Sequence, residues 1–331
     1  MLPGSSARRA LSQRVLATLA VVPLAVGLAS CGSDGSDGAE GALRISAAAY
    51  PFAYAAERIG GTMVDVDNLT SPGVEPHDAE LTPRQLGEIR DSDLVVFLDG
   101  FQPQVDAAIE QADLDKQALL DVADVVTLLD ASDDGHTHVE GEENHADEDH
   151  ADKGHDHGAV DPHVWLDPMR MKAVADAVAD RLAELDPDNA ETYRENAATF
   201  DEELTALDSD FRTGLAQCET RTFVTSHAAF GYLADAYDLE QVAIAGIEPN
   251  TEPSTQQLAE IVDLVKSAGI TTVFTEELTS PRTADTIARE AGVTTAVLSP
   301  IEGLSDDTED ETYLSLMRQN LTALKKANRC S

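Results

Sequence analysis

Short apolar runs alternate with predicted helices in two separate stretches of the chain, and this alternation limits the fold more than any other feature. The predicted strands span residues 43–47, 64–69, 94–98 and 125–129 in the first stretch, and residues 222–225, 241–245, 272–275 and 294–298 in the second. Strands separated by helices usually pair in parallel. We therefore predict an α/β fold with two lobes, each built on a parallel sheet, although the sequence shows no clear internal repeat.

One predicted helix is too long for a single small lobe. Asp186 and Pro187 are a typical N-cap and first helical residue. Apolar residues then recur every three or four positions, which places them on one face. A helix over 187–217 would be about 45 Å long at 1.5 Å per residue, so we predict that it joins the two lobes. Other helices are predicted from near residue 52 and at 82–90, 103–113, 168–185, 227–237, 254–267, 281–291 and 309–327.

The first 30 residues have the pattern of an export signal. A basic region is followed by an apolar run at 15–29, which at about 15 residues is too short to span a bilayer. Leu28-Ala29-Ser30-Cys31 resembles the cleavage motif of bacterial lipoproteins. That resemblance implies cleavage before Cys31, lipidation of its thiol and an anchored, extracytoplasmic protein at the bacterial cell surface. An ordinary signal peptide with an incidental cysteine is the alternative.

The charge and the cysteines exclude several classes of protein. The chain has 22 Lys+Arg and 62 Asp+Glu, a net charge of −40, which argues against nucleic acid as a partner but not against a cationic ligand. Three cysteines are too few for a disulfide-dense scaffold. Once Cys31 is lipidated, Cys218 and Cys330 are the remaining thiols. Outside the cytoplasm we predict that they form a disulfide, with two buried free thiols as the alternative.

Histidine is very unevenly distributed. Six of the nine histidines lie in an acidic stretch, residues 130–161, that has almost no apolar residues; they are His136, His138, His145, His150, His155 and His157. Such a stretch cannot bury enough surface to offset its ordering entropy, so we predict a mobile loop. The other three are His77, His163 and His227, each at the end of a predicted element. Ligands bind at such ends in parallel α/β sheets, and imidazole suits transition metals, so we predict a metal site.

Three motifs surround these histidines: Gly-Val-Glu-Pro-His, Asp-Pro-His-Val-Trp-Leu-Asp-Pro and Ser-His-Ala-Ala-Phe-Gly-Tyr-Leu. They resemble the substrate-binding proteins of bacterial ABC importers for zinc and manganese, and the resemblance covers residues 42–328. It implies two α/β lobes joined by one rigid helix, with the metal in the cleft between them. His77 and His163 would come from the first lobe and His227 from the second.

The resemblance also implies a fourth ligand, a carboxylate after the last strand of the second lobe, which some zinc members replace by water. Glu302 is at the matching position, and Glu276 and Glu277 are alternatives. Three nitrogens and one oxygen favour tetrahedral zinc, whereas manganese members tend to have a carboxylate where His227 stands.

In function, the resemblance implies capture of Zn²⁺ and its delivery to a permease with its ATPase, by a monomer. A manganese- or iron-binding importer component and a metal-binding surface adhesin or buffer are the alternatives. The acidic histidine loop would capture or buffer zinc, or be a solvated insertion without a role. An enzyme is disfavoured, because His-Glu-x-x-His, nucleophile-elbow and Walker motifs are missing. Asp161 and Asp167 flank the His163 motif, but a role in orienting imidazoles explains them as well as a role as bases does.

These predictions divide the chain into a lipoprotein signal peptide (1–30), a tether (31–41), an N-terminal α/β lobe (42–186, with the loop at 130–161), a linking helix (187–217) and a C-terminal α/β lobe (218–331).

Overall fold

Two four-stranded parallel sheets form the framework of the protein. The computed structural model describes residues 41–131 and 160–331. Its strands are β1 (Leu43–Ala47), β2 (Val64–Asn68), β3 (Leu94–Phe97), β4 (Leu119–Asp121), β5 (Thr222–Thr225), β6 (Glu240–Ala243), β7 (Thr272–Thr275) and β8 (Thr294–Val297). The orders are β2-β1-β3-β4 and β6-β5-β7-β8, so the two lobes repeat one topology that the sequence does not reveal. The predicted two-lobed α/β fold is confirmed.

The helices cover the faces of both sheets, as parallel strands require. Within the described residues they are α1 (Tyr50–Gly60), α2 (Pro83–Asp91), α3 (Pro103–Ala112), α4 (Pro168–Leu185), α5 (Ala190–Gly214), α6 (Gly231–Tyr237), α7 (Thr255–Ser267), α8 (Arg282–Ala291) and α9 (Tyr313–Ala327). Several begin at local signals. Thr82, Ser254 and Thr312 each accept a backbone N–H from three residues ahead in a capping box. No helix in these two ranges is long and apolar enough to cross a membrane.

Helix α5 is the long connection between the lobes. A 3₁₀ turn at Pro187–Asn189 precedes it, so the α-helix has 25 residues, about 37 Å at 1.5 Å per residue. Its apolar face is buried along α4 and reaches α1 of the first lobe and α9 of the second. The buried side chains of this face are Tyr193, Ala197, Phe200, Leu204, Leu207 and Phe211. A helix that packs on both lobes restricts how far they can move apart.

The predicted strand at 125–129 is wrong. The fourth strand of the first sheet is β4, and it ends where the Asp121 side chain accepts a hydrogen bond from the backbone N–H of Ala123 in a 3₁₀ turn. Residues 125–129 then run without regular structure. Their apolar side chains still pack on the core, which explains the strand-like pattern. Helix α6 also begins four residues later than predicted, because residues 227–230 form a bend without helical structure.

The larger apolar cluster contains residues of both lobes. A smaller cluster packs the second sheet against α7 and α8. Trp165, Phe200 and Tyr313 are among the fully buried side chains of the larger cluster. A disulfide bond joins Cys218, which follows α5, to Cys330, which follows α9. Cys31 and the six histidines of the acidic loop lie outside the described residues.

Candidate metal centre

His77 is held by its own turn. It lies in a 3₁₀ turn, Pro76–Asp78, whose N-cap is Glu75. The Glu75 carboxylate accepts the backbone N–H groups of His77 and Asp78, each at 3.3 Å. The ring of Phe101 packs edge-on against the imidazole, with 4.9 Å between the ring centroids. The turn and the aromatic ring together direct the side chain towards the cleft.

His163 is oriented by the acid two residues before it. Asp161 Oδ1 accepts the backbone N–H of His163 at 2.9 Å and lies 2.7 Å from its Nδ1 atom. A carboxylate can only accept, so Nδ1 carries the proton and Nε2 is left free to bind a metal. Asp161 therefore has the predicted orienting role. Asp167 does not, because it caps α4 through Met169 and pairs with Arg170.

His227 follows β5 and is fixed through both its backbone and its ring. Its carbonyl accepts hydrogen bonds from Thr225 Oγ1 at 2.7 Å and Gln241 Nε2 at 2.9 Å. Glu276 accepts the His227 backbone N–H at 3.1 Å and lies 2.7 Å from Nδ1. Glu276 is thus placed behind His227 rather than among the imidazole Nε2 atoms.

Glu302 enters the cleft from the loop after β8. The residue before it, Ile301, has φ of 57°, a conformation that a β-branched residue rarely adopts. Contacts from the first lobe hold this loop, because Trp165 Nε1 donates to the Pro300 carbonyl at 2.7 Å and the Tyr50 N–H donates to the Glu302 carbonyl at 3.3 Å. The Glu302 carboxylate is therefore placed by elements of both lobes.

These four side chains meet in one buried group. One ligand atom from each of His77, His163, His227 and Glu302 lies within 4.8 Å of every other. The His163 and His227 Nε2 atoms are 3.4 Å apart, and Glu302 Oε1 is 3.5 Å from His77 Nε2, 3.3 Å from His227 Nε2 and 2.7 Å from His163 Nε2. Donor atoms about 2.0–2.1 Å from a tetrahedral ion lie about 3.3 Å apart. The spacing fits a small four-coordinate metal ion.

One nitrogen already shows a missing partner. His77 Nε2 is buried and has no hydrogen-bond partner among the described residues. A buried polar atom without a partner is costly, and it marks where an ion would bind. The three imidazoles and the carboxylate could therefore hold a metal ion.

At this site the pKa of the carboxylate is lowered and the pKa values of two imidazoles are raised. Burial alone would raise the pKa of Glu302, but the nearby imidazoles of His163, His227 and His77 hold it well below its usual range. Burial would lower the pKa of His77, but the Glu248 and Glu302 carboxylates outweigh it and raise it to about 9. The pKa of His227 is raised in the same way against burial, by Glu276 and Glu302. In the metal-free site the carboxylates therefore favour the protonated forms of His77 and His227.

The structure separates the three candidate carboxylates and adds one that the sequence does not predict. Glu302 is in the group, Glu276 is behind His227, and Glu277 lies outside the group, with a pKa raised by burial. The additional residue is Glu248, whose carboxylate is 3.7 Å from His77 Nδ1. Glu248 is 171 positions away along the chain and is in no recognised motif, so no sequence signal links it to His77.

Two α/β lobes around a buried His₃Glu group define a metal-binding substrate-binding protein. The family model described as "ZnuA: Zinc-uptake complex component A periplasmic" matches residues 45–327, and the chain belongs to this family. The match confirms the zinc-type resemblance.

The chain is similar to proteins named for zinc. It is 37% identical over 287 residues to the zinc-binding lipoprotein AdcA of Streptococcus pneumoniae, covering 86% of this chain but 55% of that protein. The chain thus spans about half the length of such relatives. It is 36% identical over 282 residues to the high-affinity zinc uptake system protein ZnuA of Bacillus subtilis, covering 83% of this chain and 84% of that one. The crystal structure of the Zn(II)-bound ZnuA-like domain of Streptococcus pneumoniae AdcA matches with a TM-score of 0.70 at 34% identity, covering 87% and 99% of the two chains.

Proposed function

We propose that this protein is the extracytoplasmic zinc-binding component of an ABC importer. It captures Zn²⁺ between its lobes and delivers it to a membrane permease powered by an ATPase. The observation that carries this proposal is the buried group of His77, His163, His227 and Glu302. Membership of the zinc-uptake family supports the same substrate.

The donor set favours zinc over manganese. Three imidazole nitrogens and one carboxylate oxygen suit tetrahedral Zn²⁺, whereas Mn²⁺ prefers more oxygen ligands in a larger coordination shell. The distances between donor atoms are also short enough for a four-coordinate ion. Zinc here is the transported substrate. The site therefore needs no open coordination position of the kind that catalytic zinc sites keep, and four protein ligands can surround the ion.

Capture exchanges protons and water for the ion, and the lobes need little movement. The backbone carbonyls of Glu302 and Pro300 accept hydrogen bonds from first-lobe residues, and α5 packs on both lobes. Closure is therefore local, at the loops of the cleft. The loaded form would dock on the permease, which releases zinc by separating the ligands.

The remaining features fit a tethered receptor that is not an enzyme. We propose that residues 1–30 are removed, that Cys31 carries lipid, and that residues 31–41 tether a monomer whose lobes span 42–186 and 218–331 around the linking helix 187–217. The histidines of the acidic loop would be accessory sites for zinc. This part of the proposal is supported by the Leu28-Ala29-Ser30-Cys31 motif and by relatives named lipoproteins.

The decisive experiment is a competitive zinc titration of residues 32–331 in which a Gly/Ser linker replaces 132–159, with Mn²⁺ in parallel and the full loop as control. The linker should not disturb the fold, because the two ends of the loop are already joined through their backbones. Asp130 and Val160 form an antiparallel β-bridge, and the Asp161 N–H donates to the Leu129 carbonyl at 2.9 Å. One tight zinc site with much weaker Mn²⁺ binding is expected in both proteins. Loss of tight binding on removing the loop would move the main site there and overturn the proposal.

Zinc binding at pH 7.5 is expected to release protons, and the affinity is expected to rise with pH. The pKa of His77 is raised to about 9, so its imidazole is protonated at pH 7.5 and cannot ligate until the proton leaves. Each displaced proton makes the affinity rise about tenfold per pH unit below that pKa. Calorimetry in buffers of different ionisation enthalpy, from pH 5 to 9.5, measures the affinity and counts the protons released. No proton release at pH 7.5, or constant affinity down to pH 5, would contradict an imidazole site.

A further inference from the structure

Each of the three imidazoles has a carboxylate at Nδ1, but the three carboxylates differ in how firmly they are held. Asp161 and Glu276 are buried and lie 2.7 Å from the Nδ1 atoms of His163 and His227. The third carboxylate, Glu248, is 3.7 Å from His77 Nδ1, beyond hydrogen-bond length. The Glu248 side chain is 64% exposed. Of the three pairs, only the pair at His77 is open to water.

Glu248 belongs to a segment of the second lobe that contacts the His77 turn of the first lobe. This segment, residues 244–254, connects β6 with α7, whereas His77 lies between β2 and α2. Asn250 of the same segment donates a hydrogen bond to Asp78, the residue next to His77. The segment therefore contacts the His77 turn at two places from the opposite lobe, through the exposed polar side chains of Glu248 and Asn250.

Glu248 is placed to act on His77 and not on the metal. The two ring nitrogens of an imidazole lie on opposite edges, and His77 directs Nε2 at Glu302 and Nδ1 at Glu248. A group at Nδ1 fixes the tautomer and the ring orientation of a metal-binding histidine. A shift of about 1 Å by an exposed side chain would complete this hydrogen bond, because N–H···O distances lie near 2.7–3.2 Å.

We propose that Glu248 is the positioning residue for His77 and sets the rate at which zinc leaves. With zinc bound, the Glu248 carboxylate accepts the Nδ1–H of His77 and completes a set of three carboxylate–imidazole pairs. When Glu248 turns away into water, His77 becomes the first ligand to dissociate, because Asp161 and Glu276 cannot leave their buried positions. This inference rests on the proposed function, since it assumes that zinc occupies the cleft.

The test compares Glu248→Ala with Glu252→Ala in the full chain. Glu252 lies in the same segment, is exposed, and its side chain makes no ion pair or hydrogen bond within the described ranges. The two variants therefore lose the same charge from the same loop. After mixing with an excess of chelator, Glu248→Ala is expected to release zinc about tenfold faster than the wild type, within the range for loss of a carboxylate behind a ligating histidine. Glu252→Ala is expected to stay within about twofold of the wild type, because it has no partner to lose.

A second readout separates positioning from a general structural role. In ¹⁵N-histidine NMR spectra of the protein with one equivalent of zinc, three slowly exchanging Nδ1–H signals are expected for the wild type and for Glu252→Ala. Glu248→Ala is expected to keep two. Three signals in Glu248→Ala, or equal acceleration of release in both variants, would overturn the role of Glu248. A wild type with no tight zinc site would instead overturn the proposed function.

Discussion

Replacing Glu302 with glutamine is expected to weaken zinc binding by more than about 100-fold. Glutamine keeps the volume of the side chain but removes the charge that three imidazoles surround at a position 1% exposed. Loss of an outer partner behind a ligating histidine typically costs about 10–100-fold in metal affinity, and loss of a ligand should exceed that. The affinity is measured by competition with a zinc-binding fluorescent indicator at pH 7.5.

Two neighbouring carboxylates provide matched controls. Glu276→Gln is expected to cost about 10-fold, because Glu276 orients His227 without joining the group. Glu277→Gln should change the affinity least, since Glu277 is outside the group. If Glu302→Gln binds zinc like the wild type, the Glu302 carboxylate is not required as the fourth ligand. If Glu277→Gln is the most damaging variant, the assignment of the carboxylates is wrong.

The histidines could be predicted from sequence because local features place them. His77, His163 and His227 each follow a motif whose prolines, acids or strand end determine the backbone within a few residues. The carboxylates could not be ranked in this way. Glu276, Glu277 and Glu302 all follow strands of the same sheet, and only packing between the lobes decides which of them reaches the imidazoles.

The errors in the fold have a related cause. The apolar run at 125–129 reflects burial, and burial does not require a strand where the last strand of the sheet has already ended at Asp121. The late start of α6 reflects His227, whose backbone carbonyl is held by Thr225 and Gln241 instead of beginning a helix. Here a tertiary contact at the site overrides the helical pattern of the sequence.

Trp165 connects the apolar core to the metal group. Its ring is fully buried and packs edge-on against Phe52 and beside His163, with ring centroids 5.6 Å and 5.4 Å away. Its Nε1 donates to Pro300, and its carbonyl accepts the Tyr313 hydroxyl at 2.6 Å. Trp165 thus joins the first lobe to the loop that presents Glu302.

Replacing Trp165 with alanine is therefore expected to affect both stability and binding. The free energy of unfolding of the metal-free protein should fall by about 3–5 kcal/mol, the usual cost of removing a large buried aromatic side chain. Zinc affinity of the folded protein should also fall, by about 10-fold, because the support for Pro300 and for the ring of His163 is lost. Denaturant unfolding and indicator competition measure the two effects.

Phe200→Ala separates the two roles of Trp165. Phe200 is also fully buried, but it lies on α5 beside Tyr54 and takes no part in the metal group. Its removal should cost a similar free energy of unfolding while leaving zinc affinity unchanged. Equal zinc affinities in the Trp165 and Phe200 variants would mean that Trp165 serves the core alone. A selective loss in Trp165→Ala would mean that the same side chain that stabilises the fold also keeps Glu302 within reach of the three imidazoles.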